Sequence, residues 1–157
     1  MAWITILITS IQVSYVYRVV SQYNGEGSAS INERIWVHAP FSLYHAWVVV
    51  IAVISTFAAF AHDKVEGEKP SILTKILVVI GLLCLKSASV GYLESFKGDV
   101  AGAIVIAWSL FGVAIEQQDP VIHWTALILG VISSIHILVP LFKRFRGSSD
   151  ESAPLLG

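Results

Sequence analysis

The 157-residue chain is 55% hydrophobic and only 13% charged, whereas ordinary soluble domains are about 25% charged. Its formal net charge is −1, and no basic patch occurs outside the C-terminal tail. The composition therefore argues against a soluble domain and against a nucleic-acid-binding protein. It predicts an all-α polytopic membrane bundle.

Five apolar segments follow one another along the chain, and roughly 20 apolar residues are enough for a transmembrane helix. The predicted spans cover about residues 2–20, 39–61, 71–93, 99–116 and 121–142. The fourth span, with about 17 apolar-rich residues, is near the lower limit for crossing a bilayer. Residues 143–157 are polar and rich in serine, which predicts a flexible tail after the five-helix domain.

Helix starts and helix contacts are also readable from the sequence. Asp99 is predicted to cap the fourth span, and the Asp119-Pro120 pair is predicted to begin the fifth. Small residues spaced four apart allow helices to approach closely in a membrane, which favours a compact bundle and association with further copies or other subunits. Four spans carry such pairs: Ser55 and Ala59, Ser87 and Gly91, Gly98 and Gly102, and Ala126 and Gly130.

The distribution of lysine and arginine predicts the orientation of the chain. With five spans, one side of the membrane holds Lys64, Lys69 and Lys75. The other side holds six basic residues: Arg18, Arg34, Lys97, Lys143, Arg144 and Arg146. Because cytoplasmic segments carry the excess of basic residues, the C-terminus is predicted to be cytoplasmic and the N-terminus outside or luminal.

One lysine, Lys86, lies inside the third span. His45 in the second span and His136 in the fifth lie at a similar depth, about 9–11 Å below the same cytoplasmic interface. Ionisable residues inside a membrane are candidates for functional sites, and pockets between bundle helices commonly bind ligands. The sequence therefore predicts a cytoplasm-facing ligand pocket. Its predicted residues are Lys86, His45, His136, Tyr44, Trp47 and Trp108.

Other interpretations of these residues stay open. Lys86 reaches the interface by snorkelling or pairs with Glu94, and the histidines form hydrogen bonds with neighbouring helices. Alternatively, Lys86, His45 and His136 serve a small transporter or proton-coupled carrier. A third alternative is an accessory subunit whose spans pack against a larger complex.

The sequence predicts no enzymatic activity, metal or cofactor. It contains no glycine-rich phosphate loop, no Gly-x-Ser-x-Gly and no His-Glu-x-x-His motif, and no nucleophile–base pair is apparent. His45 and His136 at one depth would suit two axial ligands of a haem, but no Cys-x-x-Cys-His is present. His38 and His45 are about 10 Å apart along one helix, too far for one metal ion.

Two segments carry a family resemblance. The segment Pro40-Phe41-Ser42-Leu43-Tyr44-His45-Ala46-Trp47 precedes a β-branched helix, and the second segment is Ala107-Trp108-Ser109-Leu110-Phe111-Gly112. Both resemble tryptophan-rich multi-span proteins related to the translocator protein family. The resemblance implies a non-enzymatic five-helix membrane protein that binds sterol-like or tetrapyrrole-like ligands. The positions it carries over are Pro40, Phe41, Tyr44, Trp47 and Trp108.

The tail carries a second resemblance. Glu151, Leu155 and Leu156 are spaced as in the acidic dileucine motif that clathrin adaptors bind in eukaryotes. Such a motif acts only on a cytosolic tail, where the charge distribution also places it. It predicts a clathrin adaptor as partner and a eukaryotic endomembrane (vacuole, lysosome or endosome) or the plasma membrane as the location.

Overall fold

The computed structural model describes residues 2–23, 34–60, 70–94 and 99–150, and the regular structure in these ranges is entirely helical. The five α-helices are α1 (Ala2–Tyr23), α2 (Ala39–Phe60), α3 (Ile72–Glu94), α4 (Val100–Glu116) and α5 (Pro120–Asp150). A π-helical turn, Arg34–His38, leads directly into α2. The predicted all-α class is confirmed.

Four of the five helices are long and apolar enough to cross a membrane. The qualifying segments are Trp3–Val20, Trp36–Ala58, Ile72–Glu94 and Pro120–Val139. Helix α4 is apolar but has only 17 residues. At 1.5 Å per residue it is about 26 Å long, slightly less than the ~30 Å of a hydrocarbon core.

Helix α4 is the centre of the bundle, since it packs against α2, α3 and α5. Its buried face consists largely of small side chains and two large aliphatic ones. These residues are Gly102, Ala103, Ile106, Ala107, Leu110 and Ala114, and they recur at helical spacing. Small residues let neighbouring backbones approach, which favours association where lipid removes the hydrophobic driving force between helices.

Helix α1 is the least buried span, with only 6% of its apolar window buried, and it packs mainly against α2. Hydrogen bonds hold it near both ends. The Trp3 indole N–H donates to Thr56 Oγ1 of α2 at 3.2 Å. Near the other end, Tyr17 forms a hydrogen bond with Asp99 and Ser14 forms one with His45. The attachment of α1 therefore depends strongly on polar contacts.

The last helix is longer than the sequence predicts. Helix α5 continues to Asp150, so residues 143–150, assigned to a flexible tail on the basis of their polarity, are helical. Lys143, Arg144 and Arg146 are good helix formers, and a polar composition does not itself end a helix. The proposed sorting residues Glu151, Leu155 and Leu156 lie outside the described residues.

An ion pair joins the first turns of α3 and α5. Asp119 caps α5, as predicted, because its Oδ1 accepts from the backbone N–H groups of Val121 at 3.0 Å and Ile122 at 3.4 Å. Its Oδ2 lies 2.7 Å from Lys75 Nζ. The hydrogen bond from Lys75 lowers the pKa of the Asp119 carboxyl below its ordinary value of 3.8. The charged pair is therefore more favourable in the folded state.

Replacing Lys75 by glutamine is expected to lower the melting temperature at pH 7. Because the folded-state pKa of Asp119 is depressed, the pair stabilises the fold above about pH 4, and this contribution is lost as pH falls through the folded pKa. The difference between wild type and Lys75→Gln should therefore shrink below about pH 4. Thermal unfolding of both proteins in detergent at several pH values measures this difference in melting temperature. Asp119→Asn should show the same loss at pH 7, and a pH-independent effect of Lys75→Gln would contradict the assignment.

Candidate functional site

A buried carboxylate, Asp99, joins three helices at one end of the bundle. The Tyr17 hydroxyl of α1 donates to Asp99 Oδ2. The other oxygen, Oδ1, accepts from the backbone N–H groups of Ala101 at 3.1 Å and Gly102 at 3.3 Å, which is the predicted cap of α4. His38 Nε2, in the π-helical turn that leads into α2, lies 3.7 Å from Oδ2. One side chain thus links α1, α2 and α4.

His45 connects two further helices through both of its ring nitrogens. Nδ1 lies 2.5 Å from the Tyr92 hydroxyl of α3, and Nε2 lies 2.9 Å from Ser14 Oγ of α1. Ser14 donates its one hydroxyl proton to the Ser10 carbonyl oxygen at 2.8 Å, so it accepts from His45 Nε2–H. In a neutral imidazole, Nδ1 is then the acceptor for the Tyr92 hydroxyl, which corresponds to the Nε2–H tautomer.

The two sets of contacts form one unit, the polar cluster, made of Tyr17, His38, His45, Tyr92 and Asp99. The Tyr17 ring stacks on the His45 ring, with centroids 4.4 Å apart and planes 13° apart. It meets the Tyr92 ring edge-on at 5.8 Å. Hydrogen bonds and ring contacts of the polar cluster connect the four helices α1, α2, α3 and α4. In the described part of the chain, no group of three or more His, Cys, Asp or Glu side chains is arranged to hold a metal ion.

The three ionisable residues of the predicted pocket lie in two different places. Lys86 Nζ is 3.1 Å from His136 Nδ1, at a partly exposed contact between α3 and α5. His45 belongs instead to the buried polar cluster. Similar depth along three helices does not fix the direction in which each side chain points. Within the described ranges, Lys86 and Glu94 form no ion pair.

An apolar cavity of about 480 Å³, partly open to the outside of the bundle, lies between α2, α3 and α4, with one residue from the start of α5. It is lined by Trp47, Val50, Val53, Ile54, Phe57, Val78, Leu82, Leu85, Trp108, Ser109, Gly112, Val113, Glu116, Gln117 and Ile122. The predicted pocket residues Trp47 and Trp108 are in this lining, whereas Lys86, His45, His136 and Tyr44 are not. The cavity extends along α4 towards its C-terminus, away from Asp99.

Polar groups are concentrated at one end of the cavity. Glu116 and Gln117 are exposed residues at the C-terminus of α4. Ser109 also lines the cavity, but its hydroxyl donates to the Val105 carbonyl oxygen at 2.8 Å within the helix. The arrangement suits an apolar molecule with a polar group at the Glu116 end.

The sequence pattern of the family described as "TSPO-like protein" matches residues 1–139. The chain belongs to this TSPO-like family. The match covers helices α1 to α4 and the apolar part of α5, and so includes the polar cluster and the cavity. The predicted relation to the translocator protein family is confirmed. No curated protein and no solved structure matches the chain.

Family membership and the apolar helices identify an integral, multi-pass membrane protein of the TSPO-like family. Large exposed apolar side chains therefore contact lipid rather than water. Ile11, Ile72 and Ile115 are 70%, 79% and 85% exposed. Tyr17, Tyr92 and Asp99 of the polar cluster are buried, so the hydrogen bonds of the cluster are costly to lose.

Proposed function

We propose that this TSPO-like protein is a non-enzymatic binder or sensor of a hydrophobic or amphipathic small molecule, held in the apolar cavity between α2, α3 and α4. The cavity carries the proposal. Its volume of about 480 Å³ lies within the range of about 300–1,000 Å³ typical of small-molecule sites. Two tryptophan rings, Trp47 and Trp108, offer flat apolar surfaces of the kind that sterols and tetrapyrroles contact.

The lining favours binding over catalysis. Among the described lining residues, Ser109 is the hydroxyl-bearing side chain, and its proton is given to the helix backbone. Among the residues that the structure describes, no histidine lines the cavity to act as its base. A carrier using Lys86, His45 and His136 has less support, since His45 lies apart from the other two.

The orientation that we propose has five crossings, with the N-terminus outside or luminal and the C-terminus cytoplasmic. The excess of lysine and arginine near the cytoplasmic ends supports it. This orientation puts the polar cluster towards the cytoplasm and the Glu116 end of the cavity towards the outside. The cavity would then open on the side opposite to that of the predicted pocket. A clathrin adaptor, an endomembrane or plasma-membrane location and oligomers through small-residue faces remain part of the proposal.

Filling the cavity tests the proposed function. A Cβ added at Gly112, which lines the cavity, would meet no atom within 4 Å, so Gly112→Leu should fill space without disturbing packing. We expect a sterol or a porphyrin to raise the melting temperature of the wild type in nanodiscs. The ligand stabilises only the folded state, by about 2.7 kcal/mol at a concentration 100 times its Kd. Gly112→Leu should abolish that shift.

Gly91 supplies the matched control. A Cβ there would also meet nothing within 4 Å, but Gly91 does not line the cavity. Gly91→Leu should therefore keep the full ligand-induced shift. If a panel of sterols, porphyrins and lipids leaves the wild type unshifted, or if Gly112→Leu responds as the wild type does, the proposed site is wrong.

A further inference from the structure

Among the described residues that line the mostly apolar cavity, Glu116 is the charged one. It is the last residue of α4 and is exposed, so its carboxylate lies at the polar end of the cavity. Trp108 is eight residues earlier on the same helix, which corresponds to about 12 Å along the axis. A ligand between the two tryptophans therefore needs a body about 12 Å long to bring a head group to Glu116.

The negative charge at this end is not neutralised within the described part of the chain. The C-terminus of α4 already carries the partial negative charge of the helix dipole, and its last turn contains no basic residue. The nearby Lys75 is paired with Asp119 at 2.7 Å. No ion pair to Glu116 forms among the described residues. As far as the described residues go, the Glu116 carboxylate is therefore available to a cation from outside the protein.

The bonded ring nitrogen of His123 does not neutralise the charge of Glu116. Its Nδ1 lies 2.6 Å from the Ala114 carbonyl oxygen, so Nδ1–H donates to the backbone near the end of α4. That contact satisfies a carbonyl of the last turn and leaves the Glu116 carboxylate available as an acceptor.

We infer that the cavity binds amphipathic organic cations preferentially: hydrophobic amines whose apolar body lies against Trp47 and Trp108 and whose ammonium group donates to Glu116. The inference rests on the proposed function and adds the chemical class of the ligand. The bilayer edge has a lower effective dielectric than water, which strengthens the attraction between the ammonium and the carboxylate. A carboxylate ligand of the same shape would be repelled, and a neutral one would gain only a hydrogen bond.

Three probes that differ only in the head group test the inference: 1-pyrenebutylamine, 1-pyrenebutanol and 1-pyrenebutyric acid. Pyrene accepts excitation energy from tryptophan, so saturable quenching of protein fluorescence in nanodiscs reports binding to the protein, and its loss in Gly112→Leu assigns the binding to the cavity. We expect the amine to bind most tightly and the acid most weakly. Glu116→Gln should weaken the amine about tenfold, the order expected for one charge-assisted hydrogen bond, and leave the alcohol unchanged. Glu116→Lys should reverse the order of amine and acid.

Glu94→Gln is the matched control, because Glu94 is also an exposed carboxylate at a helix end but does not line the cavity. It should keep the wild-type order. Saturable binding of the alcohol that Gly112→Leu abolishes would support the proposed function. The inference is nevertheless wrong if the amine binds no more tightly than the alcohol, or if the amine still binds more tightly in Glu116→Gln. If none of the three probes binds saturably to the wild type, the proposed function fails as well.

Discussion

Replacing Asp99 by alanine is expected to lower the free energy of unfolding by about 3 kcal/mol, which combines two losses. The first is the cap of α4, since Oδ1 accepts from Ala101 N and Gly102 N. The second is the hydrogen bond from the buried Tyr17 hydroxyl to the carboxylate. Reversible unfolding in mixed micelles, followed by circular dichroism, measures the change.

Asp119→Ala is the control for this prediction, because Asp119 caps α5 with the same pair of backbone contacts. It lacks a contact with a buried tyrosine and loses instead the partly exposed ion pair with Lys75, which is worth about 0–1 kcal/mol, so its loss should be smaller. Tyr17→Phe should recover part of the Asp99→Ala loss, since it removes the buried hydroxyl that has lost its carboxylate acceptor. Equal losses for the two aspartates, with no effect of Tyr17→Phe, would mean that the polar cluster does not stabilise the bundle.

Gly102→Ala is the second substitution for which we expect a large effect. A Cβ at this position would lie 2.6 Å from two ring carbons of Tyr92 and 3.0 Å from Ser42 Oγ. Tyr92 is only 2% exposed, and its hydroxyl is held by His45, so the ring cannot move without breaking that bond. Overpacking of this kind costs about 1–3 kcal/mol, which should outweigh the gain of about 1 kcal/mol in helix propensity.

Gly112→Ala, on the same helix, is the control, because it changes the helix propensity in the same way without a steric clash. Its added methyl group would meet no atom within 4 Å. We expect it to be neutral or to stabilise α4 by up to about 1 kcal/mol. If Gly102→Ala is as stable as Gly112→Ala, then the close packing of α4 against Tyr92 is not a requirement of the fold.

Much of the fold was predictable because it depends on local properties of the sequence. Asp99 and Asp119 stand directly before apolar segments, and a short carboxylate in that position caps a helix whatever surrounds it. The end of α5 was less predictable. Residues 143–150 are polar, yet their lysine and arginine residues favour a helix as readily as apolar residues do.

The site was predictable only in part, because it depends on how the helices rotate against one another. Depth can be counted along the sequence, and it correctly suggested that His136 and Lys86 lie close together. The direction of His45 towards Tyr92 and Ser14 depends on the packing of α1 and α3, which no local pattern fixes. Tyr17 and Asp99, the most connected members of the polar cluster, were not predicted as a pair, since they lie 82 positions apart.

The cavity was not predictable as an empty volume, although two of its aromatic residues were singled out. Such a partly open cavity forms where facing side chains fail to fill the space between helices, and that depends on three helices at once. Trp47 and Trp108 belong to the motifs that carried the family resemblance. Gly112 ends the second of those motifs and leaves the space beside Trp108 open. This glycine was the one feature of the sequence that could have indicated the cavity.

Photolabelling with a diazirine-bearing sterol in nanodiscs, followed by mass spectrometry of the labelled peptides, tests most directly whether the cavity is a ligand site. We expect labels on α2 between Trp47 and Phe57 and on α4 between Trp108 and Val113, in competition with unlabelled sterol and absent in Gly112→Leu. Labels spread over lipid-facing residues such as Ile11, with no competition and no effect of Gly112→Leu, would contradict the proposal that this cavity binds a hydrophobic ligand.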